Sequence, residues 1–407
     1  MMVTLRTESM SAKQSPVATK IHAQRTILIL AIALASCRGD SSVIFHPTPE
    51  NVQKVTDSRF VIHEDLSDTV AWVDLSPAQG VLIGVKDGPP LEMIGAVRDL
   101  DISTNSLFYA DFVYGHVRVY DFRGNLTSVV GKRGEGPGEF PQVTKLAVME
   151  NDTGPILVVG ASGNQIAVFQ QTGSTWMEES RFTTAHAFIH GDLCAMHDHV
   201  YSIGYSEEHT GVIHKYTLGG EYVLSFGNIY SDELPFIRSA LSPRGALDCN
   251  ETQRVIAYAH DLSSVVTGFS DRGIVRWRVH LADVNPRPHV QRRTKDGRPS
   301  IVYAPPAGLF SQDSHTSSIR FIPRADSEAF TVSYYSPGSK SADTMEKQHI
   351  FNIDAASGDG AYKGWHDLLK GSNKQPWLTA LDAQRVYTSR SVPYPQLGIY
   401  LRTDVSR

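Results

Sequence analysis

The sequence predicts an all-β protein, and three observations carry that reading. Runs of four to eight residues rich in Val, Ile, Tyr and Phe recur along the chain, as at 107–111, 117–121 and 156–160. Turn-forming pairs such as Arg123-Gly124, Gly163-Asn164 and Gly219-Gly220 join them. Beyond residue 60 almost no segment shows helical periodicity. The expected product is a series of antiparallel meanders.

The runs are also self-similar. Residues 98–112 align with 191–205, 246–258 and 379–387, and weaker copies begin near Lys145 and Arg320. Each copy reads as a strand, a polar turn, a second strand, a loop, a third strand ending in Gly and a fourth strand. Four strands in about 45 to 70 residues is the grammar of a β-propeller blade, and six copies predict six blades. The last copy, from Trp377 to about Thr403, has room for only three strands. The spare run at 81–85 is expected to supply the fourth, so that an N-terminal strand closes the last blade and no sheet edge is left open.

Composition excludes several other classes. A chain of 407 residues, 41% hydrophobic and 20% charged, is neither a disordered polyelectrolyte nor a rod. Its net charge of −5 gives no global attraction to nucleic acid or to an acidic membrane surface, so any such contact must be local. Three cysteines without a CxxC pair make neither a disulfide framework nor a recognisable zinc site.

Residues 25–36 form a short apolar run preceded by Lys13, Lys20 and Arg25, the layout of a secretory signal. The run is shorter than the roughly 20 residues that span a bilayer. It closes on Leu34-Ala35-Ser36-Cys37, which resembles the bacterial lipobox. That resemblance implies acylation of Cys37, cleavage before it, and a lipid-anchored envelope protein; Arg38 at the next position implies sorting to the outer membrane, facing the periplasm. The long n-region leaves Met10 as an alternative start. Cleavage would leave 34 basic and 42 acidic side chains, a net charge of −8. The expected organisation is a lipoprotein signal peptide over 1–36, a flexible tether over 37–58 and the six-bladed propeller over 59–407.

The stretch 119–140, with strand, Asp, Gly, strand and the glycine-rich exit Gly131-Lys-Arg-Gly-Glu-Gly-Pro-Gly-Glu-Phe140, is similar to an NHL repeat. The chain therefore resembles bacterial six-bladed propeller lipoproteins with NHL-like repeats over about Phe60 to Thr403. That resemblance includes an amidating-lyase branch with metal-assisted chemistry, so a lyase or hydrolase with an axial site stands beside a ligand- or protein-binding module.

Linear motifs do not decide between them. Gly131–Gly138 lacks the Gly-Lys-Ser/Thr and helix of a phosphate loop and reads as a link between blades, with glycines at positive φ and Pro137 stiffening it. His197-Asp-His199 has strand spacing for two metal ligands, yet it aligns with the turn at 104–106, where a polar tip needs no ligand. Neither GxSxG nor HExxH occurs. No catalytic residue, metal ligand or cofactor is assigned.

Up-and-down strands bring the second-to-third-strand loops and the inter-blade links to one face. That face is expected to carry Tyr114, His116, Lys132, Arg133, His209, His260, Arg292, Arg293 and Tyr394. The insertion at 283–316 holds Arg287, Arg292, Arg293, Lys295 and Arg298 among five prolines, and reads either as a positive lip for a carboxylate, phosphate or acidic polysaccharide or as a solvated spacer. The expected partners are lipid on Cys37 and an envelope protein or anionic ligand, with no nucleic acid. Cys194 and Cys249 occupy aligned positions that differ by one residue, which favours two buried thiols over a bridge unless register slips between blades.

Overall fold

The computed structural model describes residues 44–45, 58–61, 80–185, 191–229, 235–260, 265–281, 289–295, 298–304, 319–325, 329–336, 347–358, 360–367, 369–370, 373–374, 377–391 and 393–402. Cys37, the lipidation candidate, lies outside them, as do residues 283–288, 296–297 and 305–316 of the insertion.

Six sheets, each with four strands in meander order, follow one another along the chain and form a six-bladed β-propeller. Blade 1 is built from Val97–Ile102, Ser106–Asp111, His116–Asp121 and Leu126–Val130. The innermost strands of blades 2 to 5 are Val143–Asn151, Leu193–Met196, Ala246–Asn250 and Ile319–Ile322. Blade 6 contains Trp377–Leu381, Arg385–Arg390 and Gln396–Leu401, and its fourth strand is Gly80–Ile83 from the start of the propeller. Val81 pairs with Ile399 and Ile83 with Leu397, so the expected closure by an N-terminal strand holds.

The packing explains why the strands read as continuous apolar runs. Each seam between neighbouring blades has its own hydrophobic core, so the middle strands of a blade are covered on both sides. In blade 2, Leu157, Val159 and Ala161 pack toward blade 1 with Phe108 and Val117. Alternate residues Ile156 and Val158 pack toward blade 3 with Leu193 and Val200. The period-two alternation of a strand thus distributes apolar side chains between two cores rather than between core and water. Each such buried side chain contributes about 1.5–3 kcal/mol.

The links do specific work at blade ends. In the 131–140 link, Gly131 and Gly138 take φ of 78° and 70°, which an L side chain rarely adopts, and Lys132–Arg133 then pairs in parallel with Glu139–Phe140. Between blades 3 and 4 the helix Pro235–Leu241 buries Ile237 and Leu241. Outside the ring, Ser58–Val61 adds to the outermost strand of blade 4 in parallel, making five strands there. The insertion contributes an antiparallel hairpin, His289–Lys295 with Arg298–Ala304, and Ile44–Phe45 pairs with its first strand.

Candidate binding channel

The residues expected on the loop-rich face lie in links, in second-to-third-strand loops or at strand positions beside them, and each is engaged in local contacts. Tyr114 and His116 stack at 5.8 Å beside Arg118, whose guanidinium lies over the Tyr114 ring. Arg118 is fully buried with Asp111 at 3.4 Å and donates to His116 Nε2 and to the carbonyls of Leu91 and Pro90. Asp111 in turn accepts from Tyr109 Oη and from the backbone amides of Gly95, Val113 and Tyr114. This network fixes the chain leaving the closing strand onto blade 1. Burial and the Arg118 charge lower the His116 pKa, consistent with a neutral imidazole accepting from Arg118.

Other members of the set are equally local. Lys132 pairs with Glu139 at 2.9 Å on the surface, and Arg133 reaches the Val113 carbonyl. His209 stacks on Tyr222 at 4.0 Å on blade 3. His260 is buried, with Nε2 2.9 Å from the Leu241 carbonyl at the end of the link helix. Tyr394 accepts a hydrogen bond from Gln396. Arg292 and Arg293 are in the insertion hairpin, away from these groups in the chain.

The feature to which all six blades contribute is an axial channel of about 980 Å³. Its wall includes Asp99, Asp101, Asp192, Asp248, Arg324 and Thr379, which lie in the innermost strands of their blades or within two residues of the strand ends. The innermost strand of a blade is a sheet edge, and its free amides face the seam and the channel. Side chains from the preceding blade satisfy them. Asp99 accepts from the Leu146 amide at 3.0 Å and Asp101 from the Val148 amide at 2.7 Å. One step further, Thr104 donates its hydroxyl to Glu150 at 3.0 Å.

The seam between blades 3 and 4 repeats this ladder with a covalent middle rung. Asp192 accepts from the Leu247 amide at 3.1 Å, Cys194 is disulfide-bonded to Cys249 with Cα atoms 5.6 Å apart, and His197 approaches Glu251 at 3.4 Å. The expectation of two free thiols at Cys194 and Cys249 is therefore corrected. The face that one blade turns to its successor is opposite to the face the successor turns back. Partners across a seam consequently differ by one residue in the blade alignment, which permits the bridge rather than opposing it. His197 and Asp198 occupy the turn with φ of 47° and 59°, as the alignment with 104–106 implies.

The channel is electrostatically unusual. Burial raises the Asp99 carboxyl to about 6, with Lys145 opposing and Asp192 adding to the shift. Burial also raises Asp101 to about 7, against two backbone amides that favour its charged form. Asp248 is pushed well above the ordinary carboxylate range, first by burial and then by the neighbouring Asp101 charge. Among the described residues no group of three His, Cys, Asp or Glu is arranged to hold a metal ion. The acids at aligned positions of three copies, Asp99 with Asp192 and Asp101 with Asp248, are a signal that could have pointed to this channel and that the sequence reading missed.

Comparisons with known proteins agree on architecture. Residues 90–215 match the model of the DUF5128 family, described as a 6-bladed beta-propeller. A protein of Bacteroides fragilis NCTC 9343 described as a candidate exported protein superposes with a TM-score of 0.50 at 9% identity, covering 84% of this chain and 98% of that one. A member of the DUF4221 family from Bacteroides vulgatus superposes with a TM-score of 0.51 at 8% identity, covering 82% and 99%. At these identities the likeness concerns the fold alone. No curated protein matches the chain.

Proposed function

We propose that the protein is a lipid-anchored binding module of the bacterial cell envelope whose axial channel receives the ligand. The observation that carries the site is the channel itself: a polar cavity of about 980 Å³ to which separated stretches of all six blades contribute. Its carboxylates are held by neighbouring strands, so the cavity is shaped before a ligand arrives and little ordering opposes binding. Envelope location is supported by the signal layout at 25–36, by Cys37 and by the Cys194–Cys249 disulfide, which persists in oxidising compartments. The description of the Bacteroides fragilis neighbour agrees with it. Among the described residues no helix is long and apolar enough to cross a membrane. Acylation of Cys37, with the protein facing the periplasm, supplies the attachment in this reading.

A second reading is a lyase or hydrolase acting in the same channel, because burial raises the Asp101 carboxyl to about 7 and pushes Asp248 well above the ordinary carboxylate range, the direction a general acid needs. The binding reading is preferred because both Asp101 oxygens already accept from backbone amides, of Ile102 and Val148.

The test uses two channel-lining positions outside the ladders, Ser391 and Ala325. Small molecules from an envelope extract that remain with the purified wild-type chain are identified by mass spectrometry and added back in a thermal shift assay. A compound that raises the wild-type midpoint, but not that of Ser391→Trp or Ala325→Trp, supports the axial site. A compound that stabilises all three equally moves the site off the axis, and turnover of the compound favours the catalytic reading.

A further inference from the structure

The insertion hairpin and the segment that follows Cys37 are joined in a way that gives the hairpin a partner. Ile44 pairs with Gln291 and Phe45 with Val290, so the chain is on the hairpin seven residues after Cys37. Seven extended residues span at most about 25 Å. Thirteen residues beyond Phe45, Ser58–Val61 lies along the outermost strand of blade 4, the strand from which the insertion departs. An acyl group on Cys37 would therefore hold the hairpin within a short reach of the lipid surface.

The hairpin's composition suits that position. Its register pairs Arg293 with Ser300 and Lys295 with Arg298, which places these residues at the turn end of one face, whose far end carries Gln291, Val302 and Ile44. Val290, Ile301, Tyr303 and Pro299 fall at positions of the other, together with Phe45 and Arg292. Four cations stand against the single Asp296 within residues 289–304, in a chain whose net charge is −5. Cations gathered toward the turn of a hairpin, with apolar and aromatic residues at positions farther from it, are the pattern by which a segment settles at an anionic membrane interface.

We propose that the 289–304 hairpin is a second membrane contact, which binds the phosphate headgroups of anionic lipids and orients the anchored propeller with blade 4 toward the bilayer. The proposal rests on acylation of Cys37 for its position, but its headgroup contact is separately measurable. The probe is the full chain carrying Cys37→Ser, which removes the acylation site, mixed with vesicles of phosphatidylcholine alone or of phosphatidylcholine and phosphatidylglycerol in equal parts. Co-sedimentation is expected only with the anionic vesicles and is expected to weaken as salt rises. Arg293→Glu combined with Lys295→Glu is expected to lower the affinity at least about tenfold while the circular-dichroism melt stays in place.

Equal binding by the charge-reversed and parent chains would overturn the proposal, as would equal binding to both vesicle types. Tighter, charge-dependent binding to a soluble acidic polysaccharide such as alginate than to the vesicles would also overturn it, by assigning the hairpin to another anion. The mass of the mature wild-type N-terminus reports acylation independently. A chain without acyl mass removes the anchor and leaves the vesicle result to stand or fall by itself.

Discussion

Two buried side-chain contacts show how single residues set the shape of the ring. The Arg118–Asp111 pair has no exposed surface and makes seven further hydrogen bonds of 3.1 Å or less to backbone or side chain, three from Arg118 and four to Asp111, so it welds the exit of the closing strand to blade 1. His116, a candidate for ligand contact in the sequence, accepts from Arg118 and is a partner of that weld. The Cys194–Cys249 bridge closes a loop of 55 residues across one seam. Loop-closure entropy assigns such a bridge about 4 kcal/mol. Cys249→Ser is expected to lose stability of that order in urea titrations, and reductant is expected to destabilise the wild type without affecting the variant. If reductant leaves the wild-type midpoint unchanged, the bridge is not a structural rung.

Strands and their ladders explain the pH behaviour expected of the protein. The Asp99, Asp101 and Asp248 carboxyls bind protons more tightly in the folded chain than in the unfolded one, where the ordinary value is 3.8. Stability from these groups is therefore fully present below pH 4 and falls as pH rises from about 4 through 7. Asp101→Asn keeps an oxygen for the Val148 amide, turns its NH2 toward the Ile102 amide and removes the charge. The lost acceptor costs about 1–3 kcal/mol at every pH, so the informative reading is the slope: the decline in stability between pH 5 and 8 is expected to flatten. A variant whose stability falls between pH 5 and 8 as steeply as the wild type's would show that Asp101 is not the source of the decline.

At this same scale the sequence was informative for a definite reason. Strands covered on both sides appear as unbroken apolar runs, such as Leu157-Val158-Val159, and the turns between them require Gly and Asn, so blade number and the closing strand Gly80–Ile83 were legible. The channel was not, because its wall is assembled from residues far apart in the chain, and nothing in the aligned acids Asp99, Asp101, Asp192 and Asp248 shows that they face one space until the ring closes. The loop histidines drew notice by their chemistry, yet His260 and His116 are committed to packing. The bridge was misread because blade alignment compares equivalent positions, whereas a seam joins non-equivalent ones.

As a whole, the molecule is a circle of six sheets in which every seam is a core and the last strand position is filled from the chain's beginning. Closure is what brings Asp99, Asp192, Asp248, Arg324 and Thr379 around one axis despite their separation in sequence. A container formed this way can change its ligand by substitutions along the innermost strands while the seams stay intact. The central claim is that the ligand occupies the axis, and the most direct measurement is a crystal structure of the protein with the compound recovered from envelope extract. The account predicts ligand density between Asp101, Asp248 and Arg324. Density confined to the outer loops, with only water along the axis, would contradict it.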